Sequence, residues 1–179
     1  MHGVHGRYLH IDLDTGSVAE HPIPEEVSIR VIGGVGLASL LLYRWAPPGV
    51  DPLAPENPLI FATSPFIGTG ITTASKVAVV TKSPQTGMIG DSLSSSYLAI
   101  ALKRTGFDAL VITGKATGWS LLVVDDGRVE VRPAMDLLGR TPDETAESVR
   151  AALGSGFRVA AIGEAGERGV RYAAISNDG

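Results

Sequence analysis

The chain has no cysteine among its 179 residues. Alone it can supply neither a disulfide nor the thiolate ligands of a zinc, haem or iron–sulfur centre. Aromatic residues are scarce, at 6%, so the core must be built from Val, Ile, Leu and Ala. An excess of positive charge is also missing. The formal net charge is −4, which leaves no electrostatic footprint for a nucleic acid or an anionic membrane surface. No apolar run reaches the length of a bilayer-spanning helix, and Arg7, His10 and Asp12 interrupt any signal-like stretch near the N-terminus. These absences lead us to expect a soluble cytoplasmic protein without nucleic-acid or membrane partners. The length suits one domain with a substantial core. Glycine (22 residues) and proline (11) are plentiful, which predicts short elements and frequent turns.

Residues 7–13 alternate, with Leu9, Ile11 and Leu13 on one face and Tyr8, His10 and Asp12 on the other. Asp14-Thr15-Gly16-Ser17 reads as a turn, and Val18 to Ile23 as the return strand of a hairpin. A weak helix pattern begins near Glu25, and a mostly apolar helix runs from Leu37 to Trp45 before Pro47-Pro48-Gly49. A loop with three prolines, Asp51 to Pro58, precedes a buried strand at Leu59 to Thr63. Asp126-Gly127 signals a second hairpin between residues 119 and 131. Thr141-Pro142-Asp143-Glu144 is a capping box with proline at the first helical position, opening a helix that buries Ala146, Val149, Ala152 and Leu153. Two last strands are predicted at Arg158 to Ile162 and Val170 to Ile175, followed by a turn at Asn177-Asp178-Gly179.

The stretch from Gly68 to Lys115 carries the chemistry. Lys76 stands just ahead of an apolar strand, Val77 to Val80, and a serine-rich turn, Ser92 to Ser96, precedes a helix over 97–105. Lys103 and Arg104 reach solvent near the end of that helix, where cations are favoured. Hydroxyls and a cation at element starts suit an anionic ligand such as a phosphate. The plainer readings are a solvated edge lysine and ordinary helix capping, for which one serine suffices. Gly34-x-Gly36-x-x-Ser39 is close to a dinucleotide fingerprint, but its context favours a turn that admits close helix packing. The four histidines fall within the first 21 residues, without the spacing of a metal pair. No catalytic constellation emerges.

Hairpin, helix, short strand, Gly-rich loop and a basic residue leading a strand describe residues 7–81 and again 119–176. The turns at Gly16 and Gly127 correspond, as do Lys76 and Arg171. We therefore expect an α+β fold of hairpins, short helices and mostly sheet, duplicated about a pseudo-twofold axis. The alternative is two α+β units of similar length without common function.

The whole chain resembles the N-terminal domain of the tungsten-containing aldehyde ferredoxin oxidoreductases. The resemblance is carried by Gly6-Arg7, Asp12-Leu13-Asp14-Thr15-Gly16, Gly33-Gly34-Val35-Gly36-Leu37-Ala38 and Asp51-Pro52-Leu53-Ala54-Pro55-Glu56-Asn57. It continues through Val79-Val80-Thr81-Lys82-Ser83-Pro84-Gln85-Thr86-Gly87, residues 102–109 (LKRTGFDA), residues 160–167 (AAIGEAGE) and residues 173–179 (AAISNDG). It implies the cofactor-binding base of a larger enzyme, carrying a tungsten (or molybdenum) bis-pyranopterin. The remaining domains or subunits would supply the ligands of a [4Fe-4S] cluster and the acid and histidine near the metal. Aldehyde would be oxidised to carboxylic acid, with ferredoxin as electron acceptor, and this chain alone would be inactive. The family's cofactor-contacting arginine falls on Lys76, and its Asn-Ser-Gly-Gly pterin turn on Leu93-Ser94-Ser95-Ser96. Lysine keeps the charge but loses the planar fork, and Leu93 leaves only backbone contact at its position. An apolar face left uncovered by the other domains implies self-association as a homodimer. The alternative function is a free-standing, non-redox binding or assembly module of the same fold.

Overall fold

The alternating segment at the N-terminus forms β1 (Arg7–Asp12), and β2 (Ser17–Pro22) pairs with it antiparallel from Arg7↔Pro22 to Asp12↔Ser17. The computed structural model describes residues 2–177. Helices α1 (Glu25–Val31) and α2 (Gly34–Trp45) follow, then β3 (Leu59–Ala62), β4 (Lys76–Lys82), β5 (Ile89–Ser95), α3 (Tyr97–Arg104) and β6 (Ala109–Thr113). Together these strands make one six-stranded sheet in the order β2-β1-β6-β3-β4-β5. The last strand in sequence, β6, lies in the middle, parallel to β1 and antiparallel to β3.

Both faces of this sheet are covered. On the outer face α2 sets Leu37, Ala38, Leu41 and Leu42 against Tyr8, Ile60, Val80 and Val111. Tyr8 is therefore buried, although its face of β1 read as polar. On the inner face Leu9, Ile11, Val77 and Leu110 pack with Phe107 and with Ala99 and Leu102 of α3. An apolar strand without strict alternation is what burial on both faces selects, and Leu59 to Ala62 and Ala109 to Thr113 have that character.

The dinucleotide-like glycines build a helix corner. The segment before them is α1, a helix rather than a strand, and α1 and α2 meet at 118°. Gly33 has φ 142°, and a Cβ there would lie 2.8 Å from the Thr63 carbonyl oxygen. A Cβ on Gly36 would lie 2.4 Å from the Val31 carbonyl oxygen, so only glycine lets the two helices turn this tightly. No single helix among the described residues is long and apolar enough to cross a membrane.

The second half contains the hairpin β7 (Ser120–Asp125) and β8 (Arg128–Pro133), a 3-10 turn at Met135–Leu137, and α4 (Pro142–Leu153). It ends with β9 (Ala160–Ile162), the short α5 (Glu164–Glu167) and β10 (Ile175–Asn177). The Thr141 capping box forms as predicted, with the side chain and backbone of Thr141 and Glu144 bonded reciprocally. Leu122, Val124 and Val129 of the hairpin rest on the inner face of the large sheet. A third cluster joins Ala146 and Val149 of α4 to Val159, Leu121 and Ala161. Among the described residues β7 pairs only with β8 and β9 only with β10, giving two separate two-stranded sheets.

Three sequence expectations require correction. Ser92 to Ser95 belong to strand β5 rather than to a turn, because their backbone pairs with Lys76 to Val79 of β4 across a continuous ladder. The last strand begins at Ile175. Arg171 lies in the turn before it and donates from Nη1 to the Pro84 carbonyl at 3.0 Å instead of leading a strand. Asn177 closes β10, and Asp178-Gly179 of the expected turn lie outside the described residues.

Candidate functional site

Lys76 opens β4, and the antiparallel register sets it directly opposite Ser95, with Val77 opposite Ser94 and Ala78 opposite Leu93. Directly opposed residues of an antiparallel pair share a face, and successive residues alternate. Lys76, Leu93 and Ser95 therefore lie on one face of the edge hairpin, and Ser94 lies on the other. The Lys76 and Ser95 side chains are exposed, and among the described residues neither has a hydrogen-bond or ion-pair partner. Leu93 beside them is 56% exposed. A free ammonium, a free hydroxyl and an apolar side chain thus stand together at an open sheet edge.

The other two serines are already engaged. Ser94 donates from Oγ to Asn177 Oδ1 at 3.2 Å, joining β5 to β10. Ser96 is the N-cap of α3, its Oγ accepting from the Leu98 N–H at 3.2 Å. The ladder is extended by the Ser96 N–H, which donates to the Ser75 carbonyl at 2.9 Å. The five residues singled out by sequence are neighbours, but they resolve into an open trio (Lys76, Leu93, Ser95) and two structural serines.

Two further polar centres hold the frame of this site. Lys103 is buried rather than solvent-reaching, and its ammonium meets the Asp108 carboxylate. The same carboxylate accepts the backbone N–H groups of His5 and Gly6, at 2.9 and 2.8 Å to Oδ2. Thus α3 and the start of β1 are tied to one charge. Asn57 ends the proline loop with its side-chain amide donating to the Pro52 carbonyl, Thr81 Oγ1 and the Lys82 carbonyl. It fixes the far end of β4. Both centres lie within the sequence blocks 102–109 and 51–57, yet nothing in local pattern marks Asp108 as accepting from backbone N–H groups about 100 positions away, at His5 and Gly6. Among the described residues no group of three or more His, Asp or Glu is arranged to hold a metal ion.

The described residues thus form an α+β domain whose six-stranded sheet presents an exposed lysine and serine towards one edge. The family described as aldehyde ferredoxin oxidoreductase, N-terminal domain, matches residues 8–179, and the chain belongs to that family. The tungsten-containing aldehyde ferredoxin oxidoreductases of Pyrococcus furiosus and Thermococcus kodakarensis are each 41% identical to it, over 100% of this chain and 30% of the relative. The aliphatic sulfonate oxidoreductase WOR-like subunit of Pyrococcus furiosus is 31% identical over 98% of this chain and 30% of the relative. Among solved structures, the active site complex BamBC of benzoyl coenzyme A reductase, in complex with 1,5 dienoyl-CoA, superposes with a TM-score of 0.93. It is 35% identical, over 98% of this chain and 27% of that chain. The chain thus spans about 30% of the length of the curated relatives it matches.

Proposed function

We propose that this chain is the cofactor-holding base of a tungsten (or molybdenum) bis-pyranopterin enzyme that oxidises an aldehyde to a carboxylic acid. The observation that carries the reading is the free Lys76 ammonium set opposite the free Ser95 hydroxyl, in a chain of this family. That donor set fits an anionic, hydrogen-bond-accepting group. Lysine acts as a compact point charge with three rotatable donors, suited to a phosphate arm even without the planar fork of arginine. Ser95 adds a neutral donor on the same face, and Leu93 excludes water from its flank. Ser94 and Ser96 support the site indirectly, one by tying β5 to β10 and the other by capping α3.

The metal pterin, when bound, supplies the two-electron exchange with the carbonyl carbon. Overall, aldehyde and water give carboxylic acid, two protons and two electrons. A [4Fe-4S] cluster would pass these electrons on to ferredoxin, and its thiolates would come from other domains or subunits, since this chain has no cysteine. By the family resemblance, the acid and histidine near the metal would likewise come from other domains or subunits. This chain binds, orients and shields.

The test is metal and pterin content of the complete protein. Lys76→Ala combined with Ser95→Trp should strip most of the bound tungsten or molybdenum, while Lys76→Arg should keep it. Full occupancy in the double variant would remove the site assignment. Absence of either metal from natively purified wild-type protein would sink the functional reading itself.

A further inference from the structure

The end of α2 closes over the edge hairpin with a cluster of four rings that the proposed function does not use. Tyr8 of β1 and His21 of β2 are directly opposed, and their rings stack at 5.0 Å between centroids with planes 16° apart. His10 lies on the same face of β1, its ring 6.1 Å from that of His21. Trp45, the last residue of α2, covers both imidazoles, at 3.8 Å from His10 and edge-on at 5.6 Å from His21. Its Nε1–H donates to the Tyr8 hydroxyl at 3.2 Å.

Two features make this cluster responsive to protons. Histidine changes charge between neutral and mildly acidic pH, and here two imidazoles share one aromatic box. Their nitrogens are also unequally served. His10 Nε2 meets Thr113 Oγ1 at 2.8 Å, whereas His21 Nε2 is buried with no hydrogen-bond partner. In a neutral ring that nitrogen is at worst an unused acceptor. An imidazolium must place an N–H there with nothing to receive it, the costly case for a buried polar group. A proton on each ring would further set two like charges 6.1 Å apart.

Counter-charge around the rings is thin. On β1, Asp12 shares the face of His10 and favours its charged form, but its carboxylate already accepts the Asp14 and Thr15 N–H groups at 2.9 and 3.3 Å. On β2, Glu20 alternates to the opposite face, where it pairs with Arg7. Strand β6 contributes the Thr113 hydroxyl and carries no ionisable residue. From α2 come Trp45 and, at the adjacent exposed position, Arg44, which is of like sign.

We propose that Tyr8, His10, His21 and Trp45 form a proton-operated latch. Neutral imidazoles hold β2 and the end of α2 on β1; protonation of the pair releases them while the rest of the sheet stays closed. The position of the cluster confines the opening. Among the described residues β2 is bonded only to β1, and all its residues except His21 are exposed. Segments with so little burial open first. Strands β6 and β3, further in, contribute buried residues to the clusters on the sheet. The inference stands on the ring cluster and does not depend on the cofactor reading.

Hydrogen exchange of the full-length protein at about pH 8 and about pH 5, scaled to the unfolded-chain rate at each pH, tests the latch. Protection of the β2 amides bonded to β1, and of the Ile23 N–H bonded to the Gly6 carbonyl, should fall at least about tenfold at the lower pH. Amides of β4 and β6 should keep theirs. Replacing one histidine by glutamine should make the pH dependence shallower, since one proton then drives opening instead of two. With His10→Gln and His21→Gln combined, the contrast between β2 and β4 should vanish. Unchanged β2 protection in the wild type would overturn the proposal. So would equal losses in β2, β4 and β6, which would make the event global unfolding. An undiminished contrast in the double variant would place the trigger in other groups and reject it too.

Discussion

Each half of the chain contains a hairpin, a covering helix and an antiparallel strand pair, and the two arrive at different states. In the first, hairpin and strand pair are fused into one sheet by β6, and the large inner and outer clusters form on its two faces. In the second, hairpin and strand pair stay separate, and among the described residues the cluster under α4 draws on only three buried residues. The difference lies less in composition than in one central strand. A hairpin and a two-strand ladder each bury little alone; a strand between them satisfies two backbone edges and closes two faces together.

If the first half is the stable body of the molecule, damage there should be global. The largest effect is expected for Asp108→Ala, which leaves the buried Lys103 ammonium without its counter-charge and frees the His5 and Gly6 N–H groups. A loss of about 3–5 kcal/mol is expected, read as an earlier urea midpoint for every probe. A shift below about 1 kcal/mol would mean that the pair is not desolvated as described.

Next comes a matched pair of truncations. Leu41→Ala, under the large sheet and 1% exposed, should cost about 2–5 kcal/mol and lower global stability. Val149→Ala, at the roof of the second half and 5% exposed, removes two methyl groups and should cost about 1.5 kcal/mol. Its effect on hydrogen exchange should be confined to α4, β9 and their neighbours. Equal, global effects from both would erase the contrast between the halves.

The smallest expected effect is a pH dependence within the first half. Burial holds the His10 imidazole below its ordinary range; nearby His21 pushes it the same way and Asp12 opposes. The ring lies against Trp45 at 3.8 Å between centroids and hydrogen-bonds Thr113 Oγ1 at 2.8 Å. The unfolded chain therefore takes up a proton at higher pH than the folded one. The resulting stability is present above the ordinary histidine range and is lost as pH falls through the lower folded value. Urea midpoints measured across mildly acidic pH should fall for the wild type and flatten for His10→Gln. An unchanged slope would place the titration elsewhere.

Much of the frame was legible in sequence because local and tertiary demands agree there. The Asp126-Gly127 hairpin, the Thr141 capping box and the α3 pattern each specify their own geometry through turn chemistry or periodicity. Ser92 to Ser95 could not be read this way. Their intrinsic preference is for turns, and it is overridden by pairing with Lys76 to Val79, a partner set fixed only in three dimensions. Lys103 was misread for a similar reason. A lysine in the last turn of a helix normally points to water, and only Asp108, folded back beneath it, makes burial favourable. Lys76 and the serines were recognisable by type and by family resemblance. Their division into an open trio and two structural residues depended on the register of β4 and β5.

The central place of β6 also sets a timetable for synthesis. The strand that closes the first sheet is the last of its six to leave the ribosome, and it pairs Tyr8 with Ala109 across a hundred residues. Until Asp108 emerges, the nascent chain holds a hairpin, an apolar helix and exposed sheet edges with nothing to join them. Contacts of such long sequence separation form slowly and leave apolar surface open meanwhile. Translation pauses and chaperone contacts should therefore matter most in the interval before Thr113 is made, and a truncation placed ahead of β6 should yield aggregate rather than a smaller folded unit.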